Sequence, residues 1–333
     1  MKKKIFRALG VVLGLVVLAV VGGLTYVKTA LPDVGPAPEL VVEITPAQVE
    51  RGKYLANHVA VCVDCHSQRD YSRFAGPISP GTFGAGGERF GSEMGFPGTF
   101  YSKNITPYAL KDWTDGEIYR AITAGVSKNG EALFPVMPYH GFGQLDDRDI
   151  YAVIAYLRTL PAVKNDVPAS EAAFPMNIIL QTMPRKGTPQ VRPEKNDVLA
   201  YGKYLTTFAG CGECHTKRDK GQPLPGMEFA GGMEFQMPHA TLRSANLTPD
   251  RETGIGTWTE EMFVSRFKTY ADSTYHAPAV AQNDFNTVMP WGQYAGMEET
   301  DLKAIYAYLK TIKPVPHKVV RFEPHNGQSI AAN

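Results

Sequence analysis

The chain contains two copies of one sequence unit, and this repeat constrains its fold more than any other feature. GKYL occurs at 52–55 and 202–205, SKNITP at 102–107 is matched by SANLTP at 244–249, and VMP recurs late in each copy. Matching positions are separated by 142 to 152 residues, so short loop insertions account for the drift. Internal similarity of this kind predicts two similar structural units in tandem.

Each unit is predicted to be mainly α-helical with long loops. Its last segment, DIYAVIAYLRTL at 149–160 and DLKAIYAYLKTI at 301–312, has apolar residues on one helical face. Acidic residues begin the segment and Pro161 or Pro314 follows it, which suits the helix dipole and the usual stop signals. Residues 67–112, by contrast, are rich in glycine and proline. Since such a unit has little apolar core of its own, we expect another group to fill its centre.

All four cysteines lie in two clusters, CVDCH and CGECH, of the form Cys-x-x-Cys-His. This is the attachment motif of c-type haem. Two thiols three positions apart can add to the two vinyl groups of one porphyrin edge, and the adjacent histidine is then held against the iron. We predict two covalently attached haem c groups, whose attachment residues and histidine ligands are Cys62, Cys65, His66, Cys211, Cys214 and His215.

Other chemistries for these clusters fit less well. The four thiols together match the ligand count of a structural zinc site, but such a site needs neither the adjacent histidines nor one cluster in each repeat. A thioredoxin-like thiol pair requires a βαβ context, which the sequence lacks. A disulfide within each cluster does not explain the histidines.

Met137 and Met289 are predicted to be the second axial ligands, because both lie in VMP just before the final helix of their unit. Most methionines fill cores, but these two occupy equivalent positions in the repeat. His140 is an alternative to Met137, although its counterpart is Gly292, which cannot ligate a metal. A thioether is a soft ligand that raises the reduction potential of iron and leaves no open position for oxygen.

Three further pairs of repeated residues are candidates for contacts with the haem edges or propionates. An arginine follows each histidine ligand, a tryptophan begins each WT segment, and an asparagine begins each N-[IL]-T-P turn. The alternative roles are a solvated surface arginine, a core tryptophan and a turn-bracing asparagine, and for the asparagines the turn role is favoured. The pairs are Arg69 and Arg218, Trp113 and Trp258, and Asn104 and Asn246.

The N-terminus predicts one transmembrane helix. Residues 8–27 carry no charge and follow a basic cluster, which places the N-terminus in the cytoplasm and the rest of the chain across the membrane. A cleaved signal peptide is the alternative, but the apolar run exceeds the usual length and no small-x-small cleavage site follows. We therefore expect a single-pass protein of the cytoplasmic (inner) membrane with its haem domains on the periplasmic side.

The order of segments follows from these features. After the basic N-terminal segment, acidic residues outnumber basic ones by four, which excludes a general basic footprint for nucleic acid. The predicted segments are an anchor at 1–30, a proline-rich spacer at 31–45, a first domain at 46–165, a connector at 166–196, a second domain at 197–320 and a loose tail at 321–333. The apolar stretch at 174–180 indicates that the connector packs along a unit.

Taken together, the Cys-x-x-Cys-His motifs, the N-[IL]-T-P turn, GIGTWTEEMF at 254–263, the Met-Pro loops and the AYL helix resemble a family of cytochromes. This family includes the cytochrome c subunits of bacterial alcohol, aldehyde and gluconate dehydrogenases, which commonly carry three haem domains, whereas this chain has two motifs. The resemblance implies a membrane-anchored dihaem cytochrome c with two tandem helical haem domains and no catalysis of its own.

Such a protein is expected to transfer single electrons. Its partners would be a dehydrogenase or quinol-oxidising complex as donor and a cytochrome or terminal oxidase as acceptor. The alternative is a haem enzyme, such as a dihaem peroxidase or a thiosulfate dehydrogenase. A peroxidase needs an accessible iron, and a thiosulfate-oxidising haem resembling that family would want a cysteine ligand, for which no spare cysteine exists.

Overall fold

The apolar N-terminal stretch forms a single helix, α1, at Lys2–Ala30 in the computed structural model, which describes residues 2–281 and 284–325. The helix is long and apolar enough to cross a membrane, and none of its residues is buried against the protein. The prediction of one such helix is confirmed. A membrane anchor and a signal sequence both have this form.

The first unit is a set of helices linked by long loops and a short β-ribbon. Its final helix is the longest, as the apolar periodicity predicts. The helices are α2 (Pro46–Tyr54), which continues as a π-helical turn (Leu55–Val59), α3 (Cys62–Cys65), α4 (Pro107–Leu110), α5 (Asp115–Ala124), α6 (Tyr139–Phe142) and α7 (Asp147–Thr159). The strands are β1 (Arg89–Phe90) and β2 (Gly98–Tyr101), with a 3₁₀ turn (Ser92–Met94) between them.

The connector follows the first unit, and the second unit then repeats the order of helices with a larger number of short strands. The connector holds β3 (Glu171–Ala172), α8 (Met176–Ile179) and a 3₁₀ turn (Leu180–Thr182). The second unit consists of α9 (Val198–Phe208), α10 (Cys211–His215), β4 (Arg218–Asp219), β5 (Gln222–Pro223), β6 (Glu234–Met237), β7 (Ala240–Arg243), α11 (Glu260–Lys268), α12 (Trp291–Tyr294), α13 (Glu299–Leu309) and β8 (Phe322–Pro324).

Local sequence sets where the helices begin. Thr114 caps α5 in a capping box, in which its hydroxyl accepts from the Glu117 N–H at 3.1 Å and its own N–H donates to the Glu117 carboxylate at 2.8 Å. Thr259 caps the equivalent helix α11. Asp146 caps α7 through the Arg148 N–H at 2.9 Å. Of the acidic residues at the start of the two final helices, Asp146 therefore serves as a cap, whereas Glu298 makes no capping bond at the equivalent place in α13.

In each unit the first helix packs against the last at very short range. A methyl group built on Gly52 of α2 would lie 1.8 Å from the Ala152 carbonyl oxygen of α7, and one built on Gly202 of α9 would lie 2.0 Å from the Ala304 carbonyl oxygen of α13. Only glycine permits this approach. The repeated GKYL motif is thus a helix-packing motif.

Both units contribute to one continuous hydrophobic core. It includes Leu55 and Ile154 from the first unit and Leu205 and Leu302 from the second, all of which are fully buried. The mainly helical prediction is confirmed in part, because helices carry this core but eight short strands lie in the described part of the chain. The predicted domain boundaries stay predictions.

Two segments outside the predicted domains make ordered contacts with them. The spacer packs on α5, since the Val42 N–H donates to the Asp115 carboxylate at 2.8 Å. The predicted loose tail is wrong for Phe322–Pro324, which extends the β6–β7 sheet through the pair Leu242↔Phe322 because it supplies partners for an otherwise open edge. The rest of that segment, 326–333, lies outside the described residues.

The connector is attached to the first unit through a strand that precedes its apolar stretch. Strand β3 pairs antiparallel with β2, with Gly98 opposite Ala172 and Thr99 opposite Glu171. Phe174, in the apolar stretch, is nevertheless 79% exposed.

Candidate haem-binding sites

Each Cys-x-x-Cys-His motif forms one turn of helix that starts from a left-handed residue. Val61 precedes the first motif with φ 47° and Gly210 precedes the second with φ 64°. One helical turn places residues three apart on the same side, which presents both thiols of a motif to one edge of a ligand. All four cysteines carry free thiols, so none is used in a disulfide.

Both motif histidines are oriented by a backbone carbonyl. The His66 Nδ1 lies 2.6 Å from the Lys103 carbonyl oxygen, and the His215 Nδ1 lies 2.7 Å from that of Ala245. Because a carbonyl only accepts, Nδ1 carries the proton and the Nε2 lone pair is available to a metal. Burial lowers the pKa of both imidazoles, which favours the neutral, ligating form.

The repeated asparagines brace the loops whose backbone carbonyls orient the histidines. The Asn104 side chain accepts from the Thr106 N–H at 2.9 Å and donates to the Val163 carbonyl at 2.9 Å, and Asn246 makes the same bonds to Thr248 and Val315. These bonds fit the turn role favoured from the sequence. Since the amides are bonded to the protein, we expect them to act on the histidine through the preceding residue, and a direct haem contact stays a prediction.

The two predicted methionine ligands lie in identical turns. The Tyr139 N–H donates to the Met137 carbonyl at 2.7 Å across Pro138, and the Trp291 N–H donates to the Met289 carbonyl at 2.8 Å across Pro290. A bond between residues two apart across a proline forms a tight γ-turn. Both methionines are half-buried beside the core, and their coordination of a metal stays a prediction.

His140, the alternative ligand, is engaged elsewhere. Its Nε2 lies 2.9 Å from the Met183 carbonyl oxygen of the connector. The carbonyl can only accept, so this nitrogen is protonated, while Nδ1 keeps a lone pair. The choice of Met137 over His140 therefore stays a prediction that rests on the repeat.

The arginines that follow the motifs are paired with acids inside the motifs. Arg69 Nη1 lies 2.9 Å from Asp64, and Arg218 Nη2 lies 2.5 Å from Glu213. These pairs were not predicted from the sequence, although an acidic residue recurs at the third motif position in both units. The predicted arginine–propionate contact stays untested, but the first guanidinium has little capacity left for it.

The two repeated tryptophans lie beside the hydrophobic core and bond to the protein through their backbone carbonyls. Trp113 and Trp258 are half-buried beside the core, and their carbonyls accept from Arg158 at 2.5 Å and from the Tyr306 hydroxyl at 2.6 Å. Among the hydrogen bonds of residues 2–281 and 284–325, neither indole N–H donates to a protein acceptor. The predicted propionate contact therefore stays open for both.

The two motifs lie near each other at the boundary between the units. The Tyr294 hydroxyl, beside the Met289 turn, donates to the Ala209 carbonyl just before the second motif at 2.6 Å. Burial raises the pKa of Tyr294, and smaller contributions come from Cys211 and Cys214 of its own unit and from Asp64 and Cys65 of the other. Both motifs therefore lie close to one buried tyrosine.

These residues fit haem c. Two thiols on a helical turn, an imidazole with a free Nε2 and a thioether in a fixed turn form the expected donor set, once in each unit. In the described part of the chain no group of three or more His, Cys, Asp and Glu side chains could hold a metal ion, so the four cysteines do not converge on one zinc site. The fold and the sites together are those expected of a c-type cytochrome.

Comparison with known proteins gives the same class. The chain is 31% identical over 307 residues to the fructose dehydrogenase cytochrome subunit of Gluconobacter japonicus, covering 87% of this chain and 57% of that protein. It is 29% identical over 289 residues to the cytochrome c subunit of the quinone alcohol dehydrogenase of Gluconacetobacter polyoxogenes, covering 81% and 57%. A diheme cytochrome c-type protein of Cereibacter sphaeroides is 28% identical over 323 residues, covering 93% and 99%.

These similarities confirm the resemblance to dehydrogenase cytochrome c subunits. The chain spans a little more than half the length of the two dehydrogenase subunits but nearly all of the diheme protein. No protein-family model matches the chain.

Proposed function

We propose that this protein is a dihaem c-type cytochrome that carries single electrons from an exported dehydrogenase or a quinol-oxidising complex to a downstream cytochrome or oxidase. The observation that carries the proposal is the pair of matched donor sets, each with an imidazole Nε2 freed by a backbone carbonyl. Relatives named as cytochrome c subunits of dehydrogenases support it.

In this proposal each residue of a donor set has one role. Cys62 and Cys65 would hold the first haem, and Cys211 and Cys214 the second. His66 and Met137 would ligate the first iron, and His215 and Met289 the second. When bound, each haem supplies a one-electron Fe(III)/Fe(II) couple, and thioether ligation favours a high potential.

The surrounding chain keeps these donors in place through a redox change. The Lys103 and Ala245 carbonyls fix the histidine tautomer, and the Asn104 and Asn246 side chains fix the loops that carry those carbonyls. A preorganised ligand set of this kind needs little rearrangement when the charge on a bound metal changes. The shared core joins the two sites in one body, which suits transfer between them.

Absorption spectroscopy of the purified protein tests the proposal. We expect two covalently bound haems per chain, both low-spin, with the charge-transfer band of methionine-ligated ferric haem. Met137→Ala and Met289→Ala should each remove the share of that band that comes from one haem. High-spin haem in the unaltered protein, or turnover of peroxide with a reductant, would contradict the electron-carrier role.

The partner assignment needs a separate experiment. The protein, expressed in its native membrane, is purified in mild detergent, and the proteins that remain bound are identified by mass spectrometry. A dehydrogenase subunit or a quinol-oxidising complex is expected. Rapid reduction of the cytochrome by that partner with its own substrate would establish the donor.

A further inference from the structure

We propose that the first unit holds the Met289 turn of the second unit in place, with Arg69 as the positioning residue. The inference rests on the proposed role of Met289 as an axial ligand. It assigns to Arg69 a function in the second unit. From the sequence, the functional role suggested for Arg69 is a contact with the haem of its own unit.

Arg69 is fixed by four acceptors, one of which belongs to the second unit. Its side chain is 6% exposed and paired with Asp64, which is 3% exposed. Nε donates to the Gly76 carbonyl at 2.8 Å and Nη2 to the Ala75 carbonyl at 2.5 Å. Nη1 also donates to the Val288 carbonyl at 3.2 Å. Since Val288 immediately precedes Met289, this bond fixes the peptide that leads into the ligand.

Neighbouring residues strengthen the same contact. The Asn286 Oδ1 accepts from the Ala75 N–H at 2.9 Å, and its Nδ2 donates to the Tyr71 carbonyl at 3.0 Å. Farther back along the loop, the Phe74 N–H donates to the Pro278 carbonyl at 2.9 Å and the Val280 N–H to the Ser72 carbonyl at 2.8 Å. Residues 69–76 of the first unit therefore form a clamp on the approach to Met289.

Within the described residues, the second unit forms no equivalent clamp on the Met137 turn of the first unit. Arg218 is 23% exposed, its partner Glu213 is 48% exposed, and its other bond, to the Gly221 carbonyl at 3.1 Å, stays within its own unit. Val136, which precedes Met137, is 38% exposed. The two units are thus alike in their donor sets but not in what supports the methionine.

Loop length explains why only one methionine needs this support. Seven more residues separate Trp258 from Met289 than separate Trp113 from Met137. A longer loop has more conformational freedom to lose when its end is fixed. Bonds between this loop and an already ordered segment restrict the loop before Met289 ligates the iron, so less conformational freedom is lost at that step.

Spectroscopy of paired variants tests the inference in the full-length holoprotein. Met137→His removes the methionine band of the first haem, so the remaining band reports Met289 alone. In this background Arg69→Gln should weaken or abolish the band and raise the affinity of the ferric protein for imidazole by at least about tenfold, since the added ligand then competes with a less ordered methionine. In a Met289→His background Arg69→Gln should leave the Met137 band in place.

Matched variants separate positioning from general damage. Arg148→Gln removes an ion-paired arginine whose partners are Asp146 and solvent and should leave both bands unchanged. Arg218→Gln should leave the Met137 band unchanged in the Met289→His background. If Arg69→Gln misfolds because Asp64 is left as a lone buried charge, Asp64→Asn/Arg69→Gln removes both charges, and Asn286→Ala loosens the clamp without touching either.

The possible results have distinct meanings. An intact Met289 band with unchanged imidazole affinity in Asn286→Ala and in the Arg69 variants would overturn the inference alone. Loss of the Met137 band in place of the Met289 band would show that Arg69 serves its own haem, which also overturns it. If the Met137→His protein with Arg69 intact has no methionine band, the ligand assignment of the proposed function fails as well.

Discussion

The Tyr54 hydroxyl of the first unit donates to the Asp301 carboxylate of the second at 2.7 Å. The equivalent bond in the repeat runs from the second unit to the first, where the Tyr204 hydroxyl donates to the Asp149 carboxylate at 2.8 Å. Both tyrosines come from GKYL and both aspartates from the first turn of the last helix, so the units meet through a twofold-like exchange. Asp149 and Asp301 are almost fully buried, at 1% and 0% exposure.

Tyr54→Phe should lower the free energy of unfolding by about 1 to 2 kcal/mol, because a buried carboxylate loses a charge-assisted hydrogen bond. Tyr204→Phe should cost less, since Asp149 keeps bonds from Arg51 at 3.1 Å and Arg192 at 2.6 Å, whereas Asp301 keeps longer contacts with Tyr201 and Lys195, both at 3.3 Å. Chemical denaturation of the holoprotein measures both. Tyr108→Phe is the control, because its bond to Asp166 is exposed; an equal loss in the control would contradict the prediction.

Gly52→Ala and Gly202→Ala should each destabilise the protein by about 1 to 3 kcal/mol, as overpacking does. The added methyl group would fall within 2.0 Å of a helix carbonyl oxygen in both cases, so α2 must move from α7 and α9 from α13. Thermal unfolding monitored by circular dichroism gives the effect. Gly292→Ala, with nothing within 4 Å of the new methyl group, should be close to neutral.

Asp146→Asn should remove part of the stability at neutral pH but not in acid. Hydrogen bonds from Arg148 hold the pKa of Asp146 below its usual range, so the folded state favours the charged form. A depressed folded pKa adds stability above the unfolded value near 4, and this stability is lost as the pH falls toward the folded value.

Because asparagine still caps a helix, the variant isolates the charge. We expect a difference of about 1 kcal/mol in the free energy of unfolding at pH 7, shrinking below pH 4. Denaturant titrations across this range measure it. A constant offset for Asp146→Asn across this range would argue against a charge effect.

Asn104→Ala should disturb the first haem site and Asn246→Ala the second. Each leaves the buried N–H and hydroxyl of Thr106 or Thr248 without its acceptor, at a cost of about 1 to 3 kcal/mol. The loop carbonyl that orients the histidine then becomes mobile. Redox titration should show the potential of one haem shift in each variant, and a shift of the same haem in both would refute this assignment.

The haem-attachment motifs were recognisable in the sequence because they are local. Two thiols three positions apart with an adjacent histidine fit on one helical turn whatever the rest of the chain does, and the repeat then selected Met137 and Met289 by position. The helix ends at Thr114, Asp146 and Pro161 were predictable for the same reason, since caps and stops act over three or four residues.

What only the tertiary structure decided involves residues distant in sequence. The exchange between Tyr54 and Asp301, the bond from Arg69 to the Val288 carbonyl and the ordering of Phe322–Pro324 each join segments separated by more than 75 residues. The repeat predicted two similar units but not how they meet, because that depends on which polar groups are buried together. Equivalent arginines, Arg69 and Arg218, therefore acquired different surroundings from the same local sequence.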